Sequence, residues 1–263
     1  MYNLSALEAG VAGTIFAGKL QYFRTTNSTN SDALAAARLA APHGTVYFAD
    51  EQTAGRGRGN HRWHSAAGEG LYVSVLLRPK IDAVRLPLLP LAAGVAAAKA
   101  IQNEAGVVID LRWPNDLLIG ERKAGGILVE AQTDSASGRA AFVVVGVGIN
   151  VHQREFAPDL ATPATSLDRE AGRRVARGAL LVALLKSLER EARALSNPDA
   201  GRTLAGRVAR SSSWIRGRRV QVHGPQACQG VTAGLDENGF LRVETNAGIV
   251  TVQTGGLRAV PHD

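Results

Sequence analysis

The sequence predicts an α+β protein: a larger domain built on a mixed sheet, followed by a small C-terminal β barrel. Three observations carry that expectation. Strand-like apolar runs alternate with two long helical stretches through most of the chain. Gly126–Gln132 and Ala140–Val147 are apolar runs joined by the polar turn Asp134–Gly138, which reads as a hairpin in a buried sheet. From near Ser211 the pattern changes to short strands at tight spacing with turn residues between them, which suits a small barrel.

The elements follow in chain order. Gln21–Arg24 contains Tyr22 and Phe23 and suits a strand. Ser31–Ala41 is alanine-rich and reads as a helix. Ser28, Asn30 or Ser31 is available as its N-cap, and Pro42-His43-Gly44 stops it. Val46–Ala49 and Leu71–Leu77 read as strands, with a Gly- and Asn-rich loop from Thr53 to Asn60 between them. Leu86–Glu104 reads as a long helix ending before Gly106, and Val107–Trp113 as a strand cut by Pro114. Ala176–Leu195 has helical spacing. Short strands are then expected around Arg219–His223, Cys228–Leu235, Phe240–Glu244 and Ile249–Gln253. The domain boundary is placed near Ser213, giving domains at 1–212 and 213–263.

Composition narrows the class. The chain has 263 residues, of which 45% are hydrophobic and 20% charged, as in a folded globular protein and unlike a disordered one. No run approaches the ~20 uninterrupted apolar residues of a membrane span. The N-terminus carries Glu8 before any basic residue and lacks a solid apolar stretch, so no signal peptide is expected. The single cysteine, Cys228, excludes an internal disulfide and fits a cytoplasmic chain. The net charge of +7 suits an anionic partner: nucleic acid, a membrane surface, a nucleotide or an acidic protein. The clusters Arg169–Arg177 and Arg216–Arg219 equally suit a solvated basic surface.

Several common chemistries lack their residues. There is no G-x-x-x-x-G-K-[ST], no G-x-G-x-x-G, no G-x-S-x-G and no H-E-x-x-H. His61 and His64 are close, but no cysteine or second histidine pair joins them to make a zinc site.

Four segments look chemical. In Gln52–Trp63, three alternating glycines cost backbone entropy and so need a reason. One is a loop whose N–H groups approach an anion, with Arg56 and Arg58 as forked donors and Trp63 as a flat face for a ring. The other is a flexible basic loop. In the second segment a strand runs into Pro114 and presents Asn115 and Asp116, with Lys123 seven residues later beside Gly125 and Gly126. Such a lysine can reach into a cleft and neutralise a carboxylate and a phosphoryl group, or simply sit on a surface hairpin. Gly146-Val147-Gly148-Ile149-Asn150 ends a buried strand on an amide that either meets a ligand edge or is satisfied structurally. The polar run Thr26–Asn30 either lines a pocket or caps the next helix.

Together and in this order the segments resemble the catalytic part of biotin–protein ligases. The matched pieces are Ser28-Thr29-Asn30, Gln52–Trp63, Trp113–Asp116, Arg122–Ile127 and Gly146–Asn150, and Gly255–Arg258 resembles the end of the family's SH3-like barrel. The resemblance implies a ligase that forms biotinyl-5'-AMP from biotin and ATP, with Mg²⁺ accompanying the nucleotide. It then transfers biotin to a lysine of a biotin carboxyl carrier protein, such as that of acetyl-CoA carboxylase. It also implies roles. Ser28, Thr29, Asn30 and Gln52 would hold biotin; Arg56, Gly57 and Arg58 would fold over biotin and the adenylate phosphate. Lys123 would contact the biotin carboxylate and the α-phosphate, and Gly126 would allow close backbone approach. Arg62, Trp63, Asn115 and Asn150 would lie on the ATP or adenylate side. Asp116 would sit near the reaction centre, accepting or orienting the proton of the acceptor amine, or only anchoring the loop or a metal.

There are two departures. Many members carry a further Gly-Arg pair in the loop where this chain has Asn60 and His61, with Arg62 as a substitute. Only about 20 residues precede the first core strand, too few for a three-helix DNA-binding module, so a ligase-only form without DNA binding is expected. A homodimer is compatible with the sequence. The nearest rival is a lipoate or octanoate ligase of the same fold. The rival from another class, a basic nucleic-acid binder, is disfavoured by four Tyr and six Phe without aromatic-basic interleaving.

Overall fold

The structure, a computed structural model, describes residues 2–59 and 61–260. Its frame is a seven-stranded sheet of β1 (Leu20–Thr26), β2 (Thr45–Gln52), β3 (Gly70–Leu77), β4 (Asp110–Arg112), β5 (Asp116–Ile119), β6 (Arg122–Asp134) and β7 (Arg139–Asn150). The spatial order is β1-β2-β3-β7-β6-β5-β4. Within this sheet β1 and β2 pair in parallel, and the other neighbours are antiparallel. A parallel pair needs a crossover, and the helix at Thr29–Arg38 supplies it.

Side chains alternate across a strand, so β7 serves two layers. Val143, Val145, Val147 and Ile149 enter the main core. Phe142 and Val144 face the other way and pack with Tyr47, Leu76 and the crossover helix's Ala33 and Ala37. In chain order the helices are α1 (Leu4–Gly10), α2 (Thr29–Arg38), α3 (Leu88–Ala105), α4 (Leu167–Ala171), α5 (Arg177–Ala194) and α6 (Ala200–Arg210). The main-core face is covered by α3 and α5. α3 is alanine- and leucine-rich and buried along most of its length; it ends at Gly106, whose φ of 73° gives the left-handed cap. α5 buries Leu180, Leu181, Leu184, Leu185 and Leu188, one stripe of a 3.6-residue helix. Among the described residues no helix is long and apolar enough to cross a membrane.

The strand expected over Val107–Trp113 shrinks to Asp110–Arg112, an edge strand that turns straight back into β5. β5, α1, α4 and α6 were not predicted. α6 carries Gly201 and Gly206, which weaken a helix locally. Its helicity comes from tertiary contact: Gly201 lies so close to the Glu237 backbone that a Cβ would collide with it.

The last part of the chain forms a second, antiparallel sheet: β8 (Arg216–His223), β9 (Cys228–Leu235), β10 (Leu241–Thr245), β11 (Gly248–Val252) and β12 (Gly256–Ala259), ordered β11-β10-β9-β8-β12. This fits the SH3-like expectation. Among the described residues, however, no pairing closes β11 onto β12, so a curled sheet replaces a fully hydrogen-bonded barrel. Two tryptophans tie it to the larger sheet. Trp113 donates its indole N–H to Gly239 O at 3.0 Å. Trp214 is 1% exposed and lies between the guanidinium groups of Arg218, 3.7 Å from its ring centroid, and Arg112, at 5.2 Å. Trp214→Ala should cost about 3–5 kcal/mol of stability, read from the urea midpoint at unchanged slope. A loss below ~1 kcal/mol would mean the junction does not depend on this ring.

Candidate active site

Directly opposite residues of an antiparallel pair point to the same face. On the α2 face, β7 runs Phe142, Val144, Gly146, Gly148; across from it β6 places Glu130, Leu128 and Gly126, and β3 places Leu76, Ser74 and Tyr72. The large side chains lie under α2. Toward its N-terminal end the face is stripped to Gly146, which an added Cβ would drive into Asn30 of the first turn, and then to Gly126 and Gly148, which form a floor. Trp63 lies on that floor: a Cβ at Gly148 would sit 2.7 Å from its ring and one at Gly126 3.4 Å. The Trp63 indole N–H is buried without a protein acceptor.

Lys123 reaches the same face through a bulge. Opposite β5, Asp116 pairs with Gly126, Leu117 with Gly125 and Leu118 with Lys123, so Ala124 is an extra residue in β6. Strict alternation would send Lys123 to the core side; the bulge turns it back. Its backbone is held by Pro163 O and Thr165 N on the neighbouring segment. Its ammonium lies 2.5 Å from Asp116 Oδ1 and 5.6 Å from the Trp63 ring centroid. Asp116 also accepts from Arg112 at 2.6 and 3.1 Å. Burial alone would raise its pKa, but Lys123 and Arg112 together outweigh burial and hold the carboxyl below its ordinary 3.8.

The polar end of the floor is a hydrogen-bonded network. Gln52 Oε1 accepts from the Thr29 N–H at 2.9 Å, and its Nε2 donates to Ser65 Oγ at 2.8 Å. Thr29 and Ser74 hydroxyls meet at 2.7 Å, and Ser74 donates to Asn30 Oδ1 at 2.5 Å. Ser28 is the N-cap of α2 but makes no side-chain capping bond. Of the run Thr26–Asn30, Thr29 and Asn30 turn their side chains into this network rather than capping the helix.

The Gly-Arg loop folds over this floor. Trp63 N donates to Gly55 O, Gly57 N to His61 O, and Arg56 bridges Arg62 across the loop. Gly55 is required where the chain crosses Ser65: an added Cβ would lie 2.7 Å from its hydroxyl. The two arginines point apart. Arg56 forms a bidentate pair with Glu130 at 2.8 and 3.0 Å. Arg58 donates to Gly255 O at 2.8 Å and to Asn115 Oδ1 and Thr254 Oγ1 at 3.3 Å, tying the loop to the C-terminal sheet. Burial lowers the Arg58 pKa, partly opposed by Asp116. Arg62 is exposed. The Asn60 position lies outside the described residues.

A family model described as the biotin/lipoate A/B protein ligase family matches residues 22–150. The bifunctional ligase/repressor of Bacillus subtilis is 34% identical over 256 residues, spanning 96% of this chain and 78% of that protein. The chain belongs to the biotin–protein ligase family. A biotin–[acetyl-CoA-carboxylase] ligase of Mycobacterium tuberculosis is 34% identical over 91% of this chain and 88% of its own length. The structure of the Aquifex aeolicus biotin protein ligase in complex with biotin and ATP aligns with a TM-score of 0.79 at 28% identity, covering 92% of this chain and all of that one.

In this biotin–protein ligase family member, Thr29, Asn30, Gln52, Trp63, Lys123 and Gly126 converge on the floor, with Asp116 and Asn115 beside it. Asn150 is 7% exposed, and its amide nitrogen donates to Thr165 O at 3.0 Å and Lys123 O at 3.4 Å. Those contacts brace the Lys123 backbone. Sequence reasoning missed Ser74, Ser65, Arg112, Glu130 and the Thr254-Gly255 turn. Two had a signal: Ser74 interrupts the apolar run Leu71–Leu77, and Glu130 interrupts Ile127–Ala131.

Asp116 carries a pH signature. Its folded pKa lies below the unfolded 3.8, so its contribution to stability is complete above pH 3.8 and is lost as pH falls through the folded value. Asp116→Asn should cost about 3 kcal/mol at pH 7, because Lys123 and Arg112 lose their counter-ion. Unfolding titrations should show the gap to wild type closing below pH 3.8. A gap independent of pH would remove the ion pair from the account.

Proposed function

We propose that this chain activates biotin with ATP to biotinyl-5'-AMP and transfers the biotinyl group to a lysine of a biotin carboxyl carrier protein, such as that of acetyl-CoA carboxylase. The observation that carries it is the convergence of the Lys123 ammonium, the Trp63 ring and the Gly-Arg loop over a glycine floor whose far end is a polar network. The bicyclic head of biotin, with two N–H groups and a carbonyl, fits that end, and its carboxylate tail fits the Lys123 end. Ser28, Thr29, Asn30 and Gln52 surround the head, and Gly126 lets the backbone come close.

In the first step a biotin carboxylate oxygen attacks the α-phosphorus, and the bond to the β-phosphate breaks with release of pyrophosphate. Two anions must meet, so the protein's task is alignment and charge neutralisation. Lys123 supplies a positive charge at the junction and Arg58 a second from the loop, while Arg56, paired with Glu130, holds its arm of the loop to β6. The Gly57 N–H donates to His61 O and shapes the loop between the two arginines, and Asn115 and Trp63, with Arg62 at the loop surface, would be on the adenylate side. Mg²⁺ comes with the nucleotide. Among the described residues no three His, Cys, Asp or Glu side chains group to hold a metal ion.

In the second step a neutral lysine amine of the carrier attacks the acyl carbon, the bond from that carbon to the phosphate oxygen breaks as AMP leaves with the electron pair, and the nitrogen passes its extra proton to the departing phosphate or to water. Asp116 was a candidate acceptor for that proton. A carboxylate held below 3.8 by two cations is a weak base at pH 7. Asp116 is therefore assigned to positioning Lys123. The positive net charge of the chain would speed encounter with an acidic carrier. We place the activity in the cytoplasm, with no DNA partner.

A lipoate or octanoate ligase is the second reading, since the matching family model also includes lipoate ligases. Lipoate carries no ureido group to use the Thr29–Gln52–Asn30 network, and that favours biotin. Incubation with MgATP, a carrier domain and either acid, read by intact mass, decides between them. One added biotinyl group is the expected result; lipoylation alone would move the chain to the sister activity, and no mass gain would sink both. Lys123→Ala should reduce adenylate formation about 10²–10³-fold with an unchanged circular dichroism spectrum. A near wild-type rate would end the assigned role.

A further inference from the structure

A carboxylate outside the assigned ligand contacts joins the Gly-Arg loop to the pocket floor. Glu130 sits on β6 opposite Val144, on the same face as Gly126 and Leu128. Its Oε1 accepts from Arg56 Nη2 at 2.8 Å. Its Oε2 accepts from Arg56 Nη1 at 3.0 Å and from Asn30 Nδ2 at 2.9 Å. Asn30 is 4% exposed, so its amide is not free to exchange partners with water.

The direction of every hydrogen bond beyond Asn30 then follows. With its NH₂ turned to Glu130, Asn30 offers only Oδ1 to Ser74, and Ser74 must donate. A hydroxyl has one proton, so the Thr29 hydroxyl must donate to Ser74 at 2.7 Å. Gln52 Oε1 already accepts from the Thr29 N–H at 2.9 Å; it also lies 3.1 Å from the Thr29 hydroxyl, but a proton turned that way would leave the Thr29 and Ser74 oxygens facing each other at 2.7 Å with none between them. The proton of Thr29 is thus spent inside the floor, and its oxygen is left as an acceptor toward a ligand.

We propose that Glu130 is a positioning residue with two consequences. It anchors Arg56, and with it one arm of the Gly-Arg loop, to β6. It also sets the hydrogen-bond polarity of the floor so that Thr29 Oγ1 accepts from a ligand N–H, which selects a cyclic urea or similar ring N–H donor. The second consequence rests on the biotin reading; the first does not. The charge is essential: Arg56 and Asn30 together aim three N–H donors at this group. A carboxylate offers two acceptor oxygens, whereas an amide offers one and turns a donor toward a donor.

Glu130→Gln, of the same shape, and Glu130→Ala test this with two readouts. The first is limited trypsin digestion without ligand, with the cut after Arg56 identified by mass. The second is the biotin dependence of adenylate formation. Cleavage after Arg56 should quicken about tenfold or more in both variants, relative to cuts at other exposed arginines. The KM for biotin should rise about tenfold or more, with a smaller fall in kcat. General destabilisation would instead raise all cuts alike, and that outcome overturns the anchor. An unchanged KM for biotin overturns the polarity assignment. A wild-type chain inert toward biotin overturns the proposed function together with that assignment, and the anchor then stands or falls on the cleavage ratio.

Discussion

Gly126 faces Gly148 across the antiparallel pair of β6 and β7, and the Trp63 ring lies against both. A side chain at Gly148 would push the ring away; without the ring, Lys123 would lose its aromatic neighbour and the loop its inner contact. The floor is flat because glycines replace side chains where α2 ends. The same strands are apolar under α2, with Phe142 and Val144 in its small cluster. One face of one sheet is therefore a core at one end and a glycine floor with polar neighbours at the other.

Charge is distributed on that surface in a graded way. Arg56 is neutralised by Glu130 and Lys123 by Asp116, whereas Arg58 meets a backbone carbonyl, an amide oxygen and a hydroxyl. Arg58 is the loop cation whose charge is least compensated, and burial adds to its cost. An anionic phosphoryl group entering the site would relieve that cost. The Lys123–Asp116 pair is preorganised instead: the bulge at Ala124 aims the lysine, and Asp116 holds it between Arg112 and the floor. Arg112 in turn lies over the Trp214 ring at 5.2 Å, so the segment leading into the C-terminal sheet packs against a partner of Asp116.

Much of the frame was legible. Apolar runs at Gly126–Gln132 and Ala140–Val147 became the central hairpin, and the alanine-rich segment after Thr26–Asn30 became α2. The elements that went unread share a cause. β5 is four residues long, α1 is seven, and α6 contains two glycines, so each draws its order from neighbours rather than from its own periodicity. The strand predicted at Val107 failed for the opposite reason: Val107 and Val108 have strand-like side chains but no partner strand, and Val108 is 74% exposed.

The sequence by itself determined which chemical groups the protein has and the order in which they come: a Gly-Arg loop, a lysine beside paired glycines, a buried amide ending a strand. Periodicity also determined which faces of the main strands and helices would be buried, because apolar surface must leave water wherever it lies. Only the tertiary structure decided what those groups do to each other. Lys123 turns toward the floor because one unpaired residue breaks the alternation of β6. Asp116 stays a weak base because two cations from different segments close on it. Glu130 meets Arg56 across 74 residues of chain. Hydrogen bonds and ion pairs act over a few ångströms in space and are indifferent to separation along the chain, so local sequence pattern carries no record of them.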